Sequence, residues 1–249
     1  MARAAQVDID TTSVTFERDG ETLHGYAAWP SSATPLPGLV LIPDVRGLSD
    51  HYRDVSRRFA EVGFFTMAVD LYSREGTPDL PDMDAIARWI RQLPDRRVLA
   101  DLHAAVGYVG TRPEVTRHAI GITGFCLGGQ YALMAACTGS DLKACVSWYG
   151  MLRYEATDER KPASPLELAP SLGCPYLGLF GEDDAIIPRA DVAELDAILS
   201  REGKDYRIVT YPGAGHAFFN DARPDAYRPD AATDGWGRAV TFLQERVRV

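Results

Sequence analysis

The sequence predicts an α/β fold, a mostly parallel sheet with helices on both faces and an antiparallel hairpin at its N-terminal edge. Three observations predict it. Short, near-continuous apolar runs recur along the chain, as strands buried on both faces require. Stretches with helical periodicity separate them. The N-terminal stretch instead alternates polar and apolar residues, the mark of strands with one face in solvent. Strand–helix alternation argues for parallel pairing, because parallel neighbours need a long crossover.

In chain order the hairpin comes first. Residues 13–17 (Ser-Val-Thr-Phe-Glu) and 22–29 alternate around Arg18-Asp19-Gly20-Glu21, a turn-forming set. The runs Gly38–Ile42, Phe64–Val69, Ala119–Thr123, Ala144–Trp148, Tyr176–Phe180 and Ile208–Tyr211 supply the buried strands. Helices are expected at about 51–62, 83–93, 96–110, 129–138, 190–202 and 234–247. No repeat, low-complexity tract or linker interrupts the pattern, so residues 1–249 read as a single domain of a size that buries a large core.

Composition narrows the function. The net charge of −9, with no basic cluster, argues against a nucleic-acid partner. The start, Met-Ala-Arg-Ala-Ala-Gln-Val-Asp, lacks the apolar core of a signal peptide. No apolar run approaches the roughly 20 residues of a membrane span, so no membrane partner is expected. Cysteines at 126, 137, 145 and 174 show neither CxxC nor metal-ligand spacing. That spacing fits a reduced, cytoplasmic protein with no metal site. Cys137 and Cys145 sit in apolar surroundings and are expected to be buried. Monomer and homo-oligomer stay equally open.

The chemistry concentrates in three places. Ala119–Thr123 runs into Gly124-Phe125-Cys126-Leu127-Gly128-Gly129, and a helical stretch follows. This is the G-x-nucleophile-x-G turn between a strand and a helix, with cysteine in the nucleophile position. The glycines permit a turn sharp enough to expose the sulfur, and the helix start aims free N–H groups at it, which favours a thiolate. Downstream, the strand Tyr176–Phe180 breaks at Gly181 into Glu182-Asp183-Asp184, four residues before Pro188. Finally, Ile208–Tyr211 leads into Pro212-Gly213-Ala214-Gly215-His216-Ala217-Phe218-Phe219. Nucleophile, acid, histidine is the chain order of the α/β-hydrolase fold. In that scheme the imidazole handles the proton and the carboxylate fixes its tautomer. Both Asp183 and Asp184 are placed to be the acid. His24, His51, His103 and His118 lie in no such motif and read as solvated or structural.

These segments resemble the dienelactone hydrolase family, from about residue 14 to the C-terminus. Carrying the resemblance are Leu39–Leu48 with Pro43-Asp44-Val45-Arg46-Gly47, Ala68-Val69-Asp70-Leu71-Tyr72, the Cys126 turn, Gly181–Pro188 and Gly215–Asp221. The resemblance implies an ester or lactone hydrolase, needing no cofactor, that acts on a small molecule through a thioester. It implies Cys126 as nucleophile, His216 as base and Asp184 as acid, with Asp183 the competing choice. Asp44 takes the position of a family glutamate that supports the cysteine, one methylene shorter. The oxyanion hole would be the backbone N–H of Leu127 and of Val45. Well-known members carry an arginine where this chain has Asn220, and a second on the helix after Tyr72, for which Arg88 is the nearest candidate. With that carboxylate clamp incomplete, a neutral ester or lactone is favoured. Phe125, Trp148, Tyr149 and Phe218 are expected as apolar walls, and Tyr72 either lines the pocket or simply packs. The Glu155–Lys161 charge run reads as a solvated loop, with a mobile lid as the alternative.

The alternative is a non-catalytic protein of the same fold that binds a ligand or senses one. Nucleophile and histidine kept together argue against it. A thiol redox protein is a minor third reading, since no resolving cysteine is spaced near Cys126.

Overall fold

A computed structural model describes residues 7–31, 35–139 and 141–248. The chain alternates strand and helix after its first hairpin: β1 (Ile9–Arg18), β2 (Glu21–Pro30), β3 (Leu36–Ile42), α1 (Asp50–Glu61), β4 (Phe65–Val69), α2 (Met83–Gln92), α3 (Asp95–Gly110), β5 (Val115–Phe125), α4 (Leu127–Thr138) and β6 (Ala144–Trp148). Then follow α5 (Pro165–Leu168), a 3-10 turn (Ala169–Ser171), β7 (Tyr176–Gly181), α6 (Arg189–Arg201), β8 (Tyr206–Tyr211) and α7 (Pro229–Arg246). The eight strands form one sheet in the order β1-β2-β4-β3-β5-β6-β7-β8. β1 and β2 pair antiparallel, and β2 meets β4 antiparallel. All pairings from β4 to β8 are parallel. This is the predicted architecture, with the hairpin at one edge.

Hydrophobic pattern sets the layers. Every residue of β4, β6 and β7 is buried, because helices cover both faces there. Phe59 of α1 packs on Trp236 of α7, 4.5 Å between ring centroids, so these two helices share a face. The α3 and α4 helices pack together on the other. β8 departs from expectation: Ile208 and Val209 are only half-buried and Thr210 is exposed. It pairs with β7 alone and forms the far edge, so its apolar residues are covered incompletely.

The short α5 was not anticipated. Its start is a capping box: the Ser164 N–H donates to Glu167 Oε2 at 2.7 Å, and Pro165 occupies the first turn. The Ser-Pro-Leu-Glu string was a readable signal for it. The segment before it also differs from the solvated loop expected. Residues 155–160 are exposed, but Lys161 is buried. Its Nζ donates to Asp95 Oδ1 at 2.6 Å and to the Tyr131 hydroxyl at 3.1 Å. The Tyr131 and Tyr154 hydroxyls donate to the two Asp95 oxygens, each at 2.8 Å. A charge run therefore ends in a buried ion pair that ties the loop to the start of α3.

Strand order reverses at β3, whose neighbours are β4 and β5. Parallel sheets place their ligands at the carboxyl ends of strands beside such a reversal. β3 ends just before Asp44, β5 just before Cys126, β7 just before Asp184, and β8 a short loop before His216.

Candidate active site

Cys126 is the single residue between β5 and α4. Its backbone has φ 54° and ψ −116°, a region costly for a side chain other than glycine. The neighbours force this. A Cβ on Gly124 would lie 2.0 Å from the Gly128 carbonyl oxygen, and one on Gly128 would lie 2.1 Å from that of Ile42. The strand and the helix thus approach more closely than any side chain allows, and the turn is pinned. The Cys126 N–H donates to the Trp148 carbonyl, and its own carbonyl accepts from Gln130 N–H, both at 3.0 Å. Cys126 is half-buried, whereas the other three cysteines are buried. Burial pushes the Cys137 and Cys174 thiols up to about 12, so they stay protonated.

The loop after β8 brings His216 to this sulfur. His216 Nδ1 lies 2.8 Å from Asp184 Oδ2. The other Asp184 oxygen accepts the N–H groups of Ile186 (2.8 Å) and Ile187 (3.1 Å), which fixes the carboxylate. Asp183 faces away: its side chain is 60% exposed and takes a 3.3 Å contact from Arg189. His216 Nε2 is buried with no partner in hydrogen-bonding geometry among the described residues. It nonetheless feels the sulfur strongly. Burial pulls the imidazole down, but its interactions with Cys126 and then with Asp184 outweigh it, raising His216 to about 10.

Asp44 is buried, and its Oδ1 accepts the Arg46 N–H at 2.8 Å. Among the described residues no hydrogen bond joins it to Cys126; its charge acts on the tyrosines around the sulfur. Burial above all, then Asp44, raises the Tyr52 and Tyr149 phenols, so both remain protonated. Tyr72 does not line the pocket edge. Its hydroxyl donates to the Val45 carbonyl at 2.7 Å, and its ring meets Trp89 edge-on. It therefore holds the loop that carries the Val45 N–H. Leu127 opens α4, where an N–H has no partner inside the helix.

Four further expectations are corrected. Phe125, Trp148 and Phe218 are fully buried and form an aromatic cluster with Phe219 beneath the turn, not cavity walls. Tyr149 is likewise buried, packed edge-on against His216 and Phe218. Asn220 is buried, and its Oδ1 accepts the Ala222 N–H at 3.1 Å, so it closes the turn after His216 and leaves the cavity unlined at that position. Arg88 is exposed and does not line the cavity; Arg91, three residues on, does.

The cavity itself has a volume of about 240 Å³. Cys126, Leu127, Gln130 and His216 form its floor. Met83, Ile86 and Ile90 of α2 also line it, as do Met151 and Ile186. None of these five was singled out in the sequence, although the spacing of Met83, Ile86 and Ile90 marks one helix face. A larger depression of about 810 Å³ lies at the opposite end of β5, beside His118 and Cys137. Among the described residues that line it, no histidine is hydrogen-bonded to a carboxylate, whereas His216 at the smaller cavity is. Among the described residues no group of three or more His, Cys, Asp or Glu side chains is arranged to hold a metal ion. Among them, too, no helix is long and apolar enough to cross a membrane.

The chain is similar to several known proteins. The model of the dienelactone hydrolase family matches residues 23–247. A Bradyrhizobium protein named "probable 2-oxo-3-(5-oxofuran-2-ylidene)propanoate lactonase" is 36% identical over 226 residues, covering 91% of this chain and 90% of that protein. An Escherichia coli K12 protein named "putative carboxymethylenebutenolidase" is 35% identical over 231 residues, 91% of this chain and 83% of the relative. The crystal structure of a "putative dienelactone hydrolase" from Klebsiella pneumoniae superposes with a TM-score of 0.90 at 34% identity, covering 95% of this chain and 98% of that one.

Proposed function

The chain belongs to the dienelactone hydrolase family, and we propose that it hydrolyses a carboxylic ester or lactone through Cys126, His216 and Asp184, by way of a thioester on Cys126. One observation carries the reading above the rest. His216 is held by Asp184 on one nitrogen while the other, buried and unpartnered, faces the sulfur.

In this reading the resting site is an imidazolium beside a thiolate, and the raised His216 pKa of about 10 supports the imidazolium. The thiolate attacks the carbonyl carbon, and the C=O electron pair moves onto oxygen. Backbone N–H groups of Leu127 and Val45 stabilise that oxyanion. Collapse breaks the C–O bond, and His216 Nε2 gives its proton to the departing alkoxide. In a lactone the alcohol stays on the same molecule as the thioester. Neutral His216 then takes a proton from water, and the hydroxide so formed attacks the thioester. The second collapse releases the acid and restores thiolate and imidazolium. Asp184 keeps Nδ1 protonated throughout, so that Nε2 does the transfers.

The relatives named as lactonases support a lactone or ester as substrate. The four free cysteines fit a reducing compartment such as the cytoplasm. The test is turnover of p-nitrophenyl acetate before and after iodoacetamide. Turnover abolished by the reagent supports the reading, and a folded protein that binds ester without releasing nitrophenol would be a binding protein instead.

A further inference from the structure

The α2 helix is unusual in this fold. It buries none of its residues, yet it covers the cavity over Cys126. Met83, Ile86, Ala87 and Ile90, spaced as one helical face, point their carbon surface at that space. Facing them is Ile186, two residues past Asp184. Met83 is 59% exposed and Ile186 is 41% exposed, and both line the same cavity. Apart from Val7, they are the large hydrophobic side chains left exposed among the described residues. Exposed apolar side chains continuous with a reactive cavity mark a surface that a ligand covers.

Two of the three Lys and Arg side chains at this rim are held in ion pairs. Lys161 is buried against Asp95. Arg153 pairs with Asp191 at 3.0 Å and also with Glu194. Arg91 lies within electrostatic reach of Asp158 across the rim. A substrate carboxylate would find Lys161 and Arg153 already paired and only Arg91, in the longer-range field of Asp158, without an ion pair among the described residues, while an alkyl or aryl group would find bare carbon. We propose that the substrate carries an uncharged apolar arm that lies under α2 and leaves the cavity between Met83 and Ile186. The proposal rests on the hydrolase reading above and names the substrate class for it: an ester or lactone with an apolar extension.

Two ester series test it. One lengthens the acyl arm from p-nitrophenyl acetate to hexanoate, the other the alcohol arm from ethyl to hexyl acetate. In at least one of them kcat/KM should climb about threefold per added methylene while the arm is being covered. The double variant Met83→Ser/Ile186→Ser should flatten that climb. Both side chains are on the surface, so folding is retained and circular dichroism checks it. The p-nitrophenyl half-ester of adipic acid, as long as the hexanoate but ending in a carboxylate, should be turned over at least about tenfold more slowly than the hexanoate, because its charge must leave water. Flat profiles in both series, an unchanged climb in the variant, or a preference for the half-ester would overturn the proposal and leave the hydrolase reading standing. Absence of turnover with every ester by folded protein would overturn both.

Discussion

Asp184 Oδ2 lies 2.8 Å from His216 Nδ1, while the carboxylate of Asp183, one residue earlier, is turned to Arg189. Adjacent residues in an extended turn face opposite ways, so only one of the two can reach the imidazole. Asp184→Asn removes the acceptor that fixes the tautomer and should cut kcat by about 10²–10⁴. Asp183→Asn loses a mostly exposed ion pair and should leave kcat within about twofold. Steady-state kinetics on the two variants decides between them, and the reverse ranking would move the role to Asp183.

His216 should be a cation at neutral pH. Its pKa is raised to about 10 although burial acts to lower it, and the Cys126 thiolate is the larger of the two influences that raise it. In Cys126→Ala that charge is gone, so burial opposes Asp184 alone and the pKa should fall. NMR titration of the His216 imidazole measures this directly. In the native protein, protonation of the leaving alkoxide requires the imidazolium, so kcat/KM should drop as pH rises through about 10. An imidazole that titrates identically in both proteins would mean that no negative sulfur stands beside it.

The buried Lys161–Asp95 pair predicts a stability effect away from the reacting atoms. Lys161→Met strands the Asp95 carboxylate, whose side chain is 1% exposed, with only two tyrosine hydroxyls to hold it. Removing one partner of such a pair costs about 3–5 kcal/mol. Urea denaturation should show that loss, and the double variant Lys161→Met/Asp95→Leu should recover part of it. A change under about 1 kcal/mol in Lys161→Met would fit an exposed pair and contradict the burial.

What could be read from the sequence is what depends on local spacing. The Cys126 turn was legible because Gly124 and Gly128 are demanded by backbone contacts within and beside the turn itself. The strands were legible because burial on both faces leaves an apolar run, and β8 misled only because an edge strand can carry the same residues. Side-chain direction was not legible. Asp183 and Asp184 are chemically identical, and the fold alone turns one inward. Phe125 adjoins Cys126, Phe218 lies two residues past His216 and Trp148 ends β6, but their size fills the core under the turn instead of the cavity above it. Arg88 and Arg91 differ by nearly one helical turn, and the rotation of α2 decides which meets the cavity. Lys161 looked like part of a solvated run because its partner, Asp95, lies far off in the sequence.

The central claim is that Cys126 forms the covalent intermediate. Its most direct measurement is mass spectrometry of the protein mixed with a p-nitrophenyl ester and quenched in acid within the first turnovers. Acid preserves a thioester long enough for digestion and mapping. One acyl group per chain is expected, located on the peptide that contains Cys126, and none on a folded Cys126→Ala variant, which should also lack turnover. An acyl group mapped to another residue, or ester hydrolysis by folded Cys126→Ala at the native rate, would contradict it.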